Sequence, residues 1–477
     1  MNKYLVWFRN DLRIHDNPAL HYACTNPEAL VSGVFVATPK QWEKHFVANC
    51  QINFIYKNLL ELKKNLLEIQ IELIIHTCKD FIESADWIFN FCHRNKISKL
   101  YFNRQYEYNE KKRDNLVKLK LHNITECITF NGNLLISPKQ IMTQKIKNYR
   151  VYRPFLKRCT KIFSKNILYI LPPPKIRKYS TIKNNLLEFD RCEIFNNKKY
   201  NYFLPGENYA LKKLKKFVDT KLNNYHINRD FFSINSTSQL SPYLTVGALS
   251  ASRCLYLIKK NSKNFTNEKN PGLFKWYSEL IWREFYQHLM IAYPFLSMSE
   301  PFLKWTNKIC WENNPKYIKA WKNGSTGYPI IDASMHQLKQ TGWLHNRLRM
   351  ISASFLVKNL FVDWRIGEKY FISHLIDGNL SSNNGGWQWS ASTGTDSAPY
   401  FRIFNPILQG KKFDHYGNFI RFWIPELSAV PDHCIHFPHN WAVENNIKIH
   451  YPAPIVQYKT SYIKFRTAYL YAKNNLK

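Results

Sequence analysis

LVSGVFVA, residues 30–37, decides how the first third of the chain folds. It is a short apolar run rich in Val, the signature of a buried strand rather than of a helix, which needs more length. Working outward from it, Tyr4–Phe8 (YLVWF) is a second short apolar strand. Leu73–His76 and Lys99–Phe102 read as two more, and Leu59–Leu67 between them carries helical spacing. Short apolar strands separated by helices imply a doubly wound parallel sheet covered on both faces. No GxGxxG follows the first strand, so a conventional nicotinamide site is not expected there.

From about Asn131 to Pro205 the pattern weakens into LPPPKIRKYS and Asn/Lys-rich stretches, with helix near Tyr152–Phe163. Beyond Gly206 the chain is helical by period, most clearly over Phe274–Met290 (FKWYSELIWREFYQHLM) and Leu344–Leu360 (LHNRLRMISASFLVKNL). The expected architecture is an α/β domain over 1–130, an interdomain linker over 131–205 and a large all-α domain over 206–477.

Composition bounds the function. The chain has 477 residues, enough for two or three domains, and 45% are hydrophobic, enough for a sizeable core. A net charge of +34 attracts polyanions, nucleic acid first. An AT-rich coding sequence would also enrich Lys and Asn, so the charge permits DNA binding without establishing it. The ten Cys include no CxxC and no zinc-ligand spacing with His, which fits a reduced, intracellular protein without a metal. The N-terminal apolar run is cut by Arg9 and Asp11, unlike a signal peptide, and no stretch is long enough to span a membrane. A soluble, cytoplasmic protein is expected.

Four stretches could carry chemistry. On Phe274–Met290, Trp276, Glu279, Leu280 and Arg283 share one face, with Trp282 on the neighbouring stripe. Taken alone this reads first as a core helix with a Glu279–Arg283 ion pair. Yet charges set among Trp on a buried face need partners or a function. On Leu344–Leu360, Asn346, Arg349, Met350 and Ala353 line one stripe. Leu375–Arg402 (LIDGNLSSNNGGWQWSASTGTDSAPYFR) reads as a Gly/Asn/Ser-rich loop among helices, a usual place for a ligand. Ser236–Gly247 (STSQLSPYLTVG) sets hydroxyls before a helix, a cap or an anion site. Together they describe a polar, aromatic-lined cavity in the helical domain of a basic protein.

Four strings in this order are specific: VWFRNDLRIHDNPAL at the start, WREFY at 282–286, TGWLHNRLRM at 341–350, and DGNLSSNNGGWQWSASTGTDSAPYFRIFNP at 377–406. Through them nearly the whole chain resembles the photolyase/cryptochrome family. The resemblance is closest to class I bacterial cyclobutane pyrimidine dimer photolyases with a folate antenna.

That resemblance implies light-driven repair of ultraviolet-damaged DNA by a monomer that holds FAD in the helical domain. Tyr225, the run Thr237, Ser238, Gln239, Leu240 and Ser241, and Trp276, Arg283, Trp343 and Asn346 would contact FAD. Arg349 would pair with Asp377 beside the isoalloxazine, near Asn379, and Asn383 would face flavin N5. Trp387, Trp364 and Trp311, in GGWQW, DWRIGE and CWENN, match the family's electron-transfer chain. Glu279, Asn346 and Met350 would contact a flipped-out dimer, with Trp282 and Trp389 packing on its rings and Arg229 on a phosphate. His45, Asn109 and Glu110 match contacts to the antenna, 5,10-methenyltetrahydrofolate. Three departures stand out: Gln239 where a related enzyme has Arg, Asn379 for the second Asp of DGDL, and Ser297–Met298 where a Cys-Lys pair helps hold folate. A cryptochrome-type blue-light photoreceptor is the alternative. Asn383 and the absence of a long tail after the helical domain speak against it.

Overall fold

The computed structural model describes residues 2–142, 148–165, 168–177, 202–261 and 269–475. The expected linker falls partly outside these residues, as does Cys192.

Five strands form one parallel sheet: β1 Lys3–Phe8, β2 Leu30–Ala37, β3 Leu73–Thr77, β4 Lys99–Asn103 and β5 Glu126–Phe130, in the order β3-β2-β1-β4-β5. The order reverses at β1, as in doubly wound sheets, whose crossovers put helices on the faces. Four strands lie where hydrophobicity placed them. The fifth, ECITF, was not picked out, because it is the least buried and carries a weaker apolar run. Leu5 and Trp7 of β1 and Phe102 of β4 meet Ile88 and Phe91 from helix Phe81–Arg94 and Val117 from helix Tyr108–Lys120. The Asp80 side chain starts the first of these helices by accepting from Ile82 N at 3.0 Å and Glu83 N at 3.1 Å.

The described chain divides into two compact units. The first holds 1–223, 238–297 and 376–379; the second holds 224–237, 298–375 and 380–477. Packing therefore unites the sheet with helices that lie beyond residue 205. Helix Glu207–Thr220 meets the sheet-covering helix Asn49–Glu68, and helix Pro271–Ala292 meets helix Tyr152–Lys165. Glu207 accepts from the backbone of Ile14 at 2.8 Å and His15 at 3.1 Å.

In the second unit a core of Trp321, Leu348, Phe355, Trp364, Trp387 and Phe465 is enclosed by helices. The expected helix over Leu344–Leu360 is α-helical over Asn346–Ser354 and then widens into a π turn, Phe355–Asn359. The stretch read as a ligand loop, Leu375–Arg402, is instead helical over Leu380–Ala391. Its polar residues are helix-compatible because their side chains are satisfied internally: Asn384 donates to Glu368 Oε1 at 2.8 Å, and Gln388 donates to Asn384 Oδ1 at 2.9 Å. Among the described residues no helix is long and apolar enough to cross a membrane.

Gly247 ends helix Ser241–Val246 with φ 74°, and a Cβ there would sit 2.0 Å from Asn10 O. Gly247→Ala is expected to cost roughly 1–3 kcal/mol from backbone strain alone, before any displacement of Asn10. Urea unfolding midpoints of the two proteins check this.

Candidate active site

Helix Pro271–Ala292 begins at Asn270, whose side chain accepts from Leu273 N, with Pro271 in the first turn. Gly272 lets this turn approach the preceding chain, since a Cβ would meet Asn223 O at 2.2 Å. Trp276 is buried, with its ring 5.0 Å from Phe217. Glu279 lies 3.7 Å from Lys275 Nζ. Arg283 donates to Gln287 Oε1 at 3.2 Å and to Asn133 O at 3.5 Å. The Glu279–Arg283 pair of the plain core-helix reading is thus not formed, because each partner is taken by a residue one turn away. Burial pulls the Arg283 guanidinium below its usual pKa, against the charge of Glu284. Trp282 is half-buried and lies flat on Tyr152 at 3.6 Å.

The same unit holds Ser238, Gln239, Leu240 and Ser241; Thr237 falls in the other. Ser241 opens its short helix and Leu240 is buried beneath it. Gln239 adopts φ 50°, and its Oε1 accepts from Lys213 Nζ at 3.1 Å. Burial, then Lys221 and Lys216, lowers the Lys213 pKa. Asp377 is buried, and its carbonyl accepts from Thr245 Oγ1 at 3.3 Å. Arg283 and Asn379 line a shallow cleft with Arg104, Glu107, Asn133 and Gln287.

His45, Asn109 and Glu110 lie together: His45 Nε2 is 2.9 Å from Asn109 Nδ2, and Nδ1 is 3.5 Å from Glu110 Oε1. Burial lowers the His45 pKa, raises that of Glu110, and with the neighbouring Glu110 charge pushes Glu107 up to about 7. Ser297 Oγ accepts from Tyr108 N at 3.4 Å, and Met298 is 49% exposed.

In the second unit, Asp230 joins two arginines, Arg347 at 2.7 Å and Arg229 at 3.4 Å. Burial raises the Asp230 pKa, but the hydrogen bond and charge of Arg347, with Arg229, carry it below the ordinary value. Arg229 also lies over the Tyr225 ring at 5.8 Å. His345 caps helix Asn346–Ser354 by accepting from Arg347 N at 3.1 Å. Burial pushes this imidazole down to about 4, so it stays neutral. Asn346 reaches Met350 Sδ at 3.9 Å, and Arg349 donates to Leu344 O at 2.8 Å. Trp343 is buried beside His345.

Asn383 donates to the backbone of Glu368 at 3.0 Å. Gly367 makes room for the Trp387 indole, which a Cβ would meet at 2.1 Å, so Trp387 lies against the helix that carries Trp364. Trp387 and Trp364 are 2% and 1% exposed, whereas Trp311, 5.3 Å from Phe361, is only partly buried. Trp389 is likewise partly buried.

Sequence reasoning missed Lys213, Glu368, Asp230 and Tyr152. Glu368 had a signal, four residues after Trp364 on one helix; Lys213 and Tyr152 had none, being distant in sequence from what they touch.

Arg283 and Lys213 make no ion pair with a carboxylate among the described residues, an arrangement that suits an anionic phosphate group. Trp276, in the same unit, adds a buried aromatic wall. These residues fit a dinucleotide with a flat ring system.

Comparison with known proteins agrees. Family models described as DNA photolyase and as the FAD binding domain of DNA photolyase match residues 4–176 and 276–470. The chain is 46% identical to the deoxyribodipyrimidine photo-lyase of Buchnera aphidicola from Acyrthosiphon pisum, over 100% of each chain. It is 42% identical to that of Escherichia coli K12, over 98% of each. A bacterial class III photolyase from Agrobacterium tumefaciens superposes with a TM-score of 0.89 at 31% identity, covering 100% of this chain and 98% of that one. The chain belongs to the DNA photolyase family.

Burial pushes Glu368 up to about 7, with Asn384 opposing. A carboxyl raised in the folded state stabilises it below the unfolded pKa, and this contribution is lost as pH rises toward 7. Glu368→Gln should therefore unfold with a weaker loss of stability between about pH 4.5 and 7 than the parent. Parallel slopes for the two proteins in denaturant titrations across that range would contradict it.

Proposed function

We propose that this chain is a class I deoxyribodipyrimidine photo-lyase, which uses light to repair cyclobutane pyrimidine dimers in ultraviolet-damaged DNA. The observation that carries the reading is identity of 42–46% over nearly the full length to relatives of that name. Residues 206–477 are the FAD- and DNA-binding domain and 1–130 the antenna-binding domain.

FAD, when bound and reduced, supplies the photoexcited electron that opens the cyclobutane ring. Arg283, with Thr237, Ser238, Gln239, Leu240 and Ser241 and Lys213 behind Gln239, holds the phosphates. Lys213 thereby offsets the missing Arg at 239. Tyr225, Trp276 and Trp343 would wall the cofactor, Arg349, Asp377 and Asn379 would contact its ring system, and Asn383 would offer an amide to it. Fixed dipoles and charges of this kind are the protein's share of cofactor chemistry.

The damaged dinucleotide is flipped from the duplex, which costs least where stacking is already broken. Trp282 and Trp389 pack on it, Glu279, Asn346 and Met350 contact its edges, and Arg229 holds a phosphate. Glu279 is the residue placed to share a proton with the dimer. Trp387 and Trp364 are buried and Trp311 only partly so; the three would pass electrons to a bound, resting flavin and would not be used in each repair. His45, Asn109 and Glu110 hold a folate antenna, weakened by the lack of a Lys at Met298. The enzyme is a cytoplasmic monomer.

Trp311→Phe should slow photoreduction of oxidised flavin yet leave repair by chemically reduced enzyme unchanged; loss of repair in the second assay contradicts the assigned role. Glu279→Ala should keep FAD and lower repair yield. An FAD-free protein would make Glu279 a structural residue.

A further inference from the structure

Trp282 is a half-buried indole on the helix that carries Glu279 and Arg283; its own helix brings Phe285 to 5.8 Å and Tyr286 to 5.5 Å, and a nearer ring comes from far away in sequence. Tyr152, the first residue of helix Tyr152–Lys165, lies parallel to it, with ring centroids 3.6 Å apart and planes 9° from one another. The phenol is itself held. Its hydroxyl donates to Ser278 O at 2.7 Å and lies 2.8 Å from Ser278 Oγ. In an α-helix the carbonyl of Ser278 is also the acceptor for Trp282 N–H, four residues on. A carbonyl has two lone pairs and can take both donors. Tyr152 therefore grips Trp282 twice, once on the face of its ring and once at the peptide group that anchors its backbone.

The grip is rigid. Behind Tyr152, which is 6% exposed, Phe155 packs on Phe285 at 5.3 Å, and Thr160 Oγ1 lies 3.3 Å from Tyr277 Oη. Phe163 closes on Tyr277 at 6.4 Å. Residues 152, 155, 159 and 163 form the stripe, with Cys159 fully buried within it. Burial raises the Tyr152 hydroxyl pKa above its ordinary value, so it remains a donor.

We propose that Tyr152 is a positioning residue for lesion recognition, holding the Trp282 indole in the orientation that stacks on the pyrimidine pair. The proposal rests on the reading that Trp282 packs on the dimer. An indole backed on one face by a fixed ring loses little rotational freedom when a base stacks on it, and preorganisation of this kind appears as affinity. The same device leaves the photochemical step untouched, since Tyr152 acts only through Trp282.

The test is a double-mutant cycle on the full-length, FAD-loaded enzyme with Tyr152→Leu, Trp282→Leu and the double variant. Dissociation constants are measured for an oligothymidylate carrying one cyclobutane dimer and for its undamaged counterpart, and repair yield is measured at saturating DNA. Tyr152→Leu should weaken dimer binding roughly three- to tenfold, the range of an aromatic pair. Undamaged binding and the yield at saturation should not move. Tyr152→Phe, which keeps the ring, should restore most of the affinity, and in the Trp282→Leu background Tyr152→Leu should add no further loss. Parental affinity in Tyr152→Leu, beside a loss in Trp282→Leu, overturns the proposal alone, as does an equal Tyr152→Leu loss in both backgrounds. No loss in Trp282→Leu overturns the reading of Trp282 and the proposal with it. If Tyr152→Leu fails to hold FAD, Tyr152→His replaces it in the same cycle with the same outcomes.

Discussion

The side chain of Glu284 is the constraint on which the candidate residues of the first unit depend. It is fully buried, and a buried polar group needs hydrogen-bond partners. Here Oε1 accepts from Leu135 N at 2.9 Å and Ile136 N at 3.1 Å, with His288 Nε2 at 3.1 Å. That clamp fixes the 133–136 segment against helix Pro271–Ala292, and Arg283, the preceding residue, reaches the carbonyl of Asn133. Trp276, Glu279, Trp282 and Arg283 thus project from a helix that is locked in rotation as well as position. A cofactor that transfers an electron asks for this, because the protein's contribution is placement and electrostatics rather than a nucleophile.

A second constraint works in the helical unit through size rather than charge. Gly367 is the only way the Trp387 indole can lie against helix Trp364–Ile372, given the 2.1 Å approach a Cβ would make. On the same helix Glu368 holds Asn383 by its backbone and Asn384 by its side chain. One helix thus orients both the amide proposed to face the flavin and the indole proposed to feed it electrons.

Much of this was legible in the sequence. The strands at 4–8, 30–37, 73–76 and 99–102 stood out because a parallel sheet buried on both faces forces near-continuous apolar runs. β5 escaped for the converse reason. Leu375–Arg402 misled because Gly, Asn and Ser have low helix propensity, and the Asn384–Glu368 and Gln388–Asn384 bonds that outweigh it are invisible without the fold. Motifs named most candidate residues, but not the residues that hold them. Glu279 finds Lys275 and Arg283 finds Gln287 by local spacing, which sequence can suggest. Lys213 against Gln239 and Tyr152 against Trp282 are long-range meetings that only the folded chain creates.

The chain, with Gln239 and Asn379 in place, performs light-driven dimer repair. The most direct measurement uses protein purified in the dark, reduced, and mixed with ultraviolet-irradiated oligothymidylate under near-ultraviolet or blue light. Recovery of the thymine absorbance in the light, and none in the dark control, is the predicted result. No recovery by a protein that holds reduced FAD would contradict the account and favour a photoreceptor.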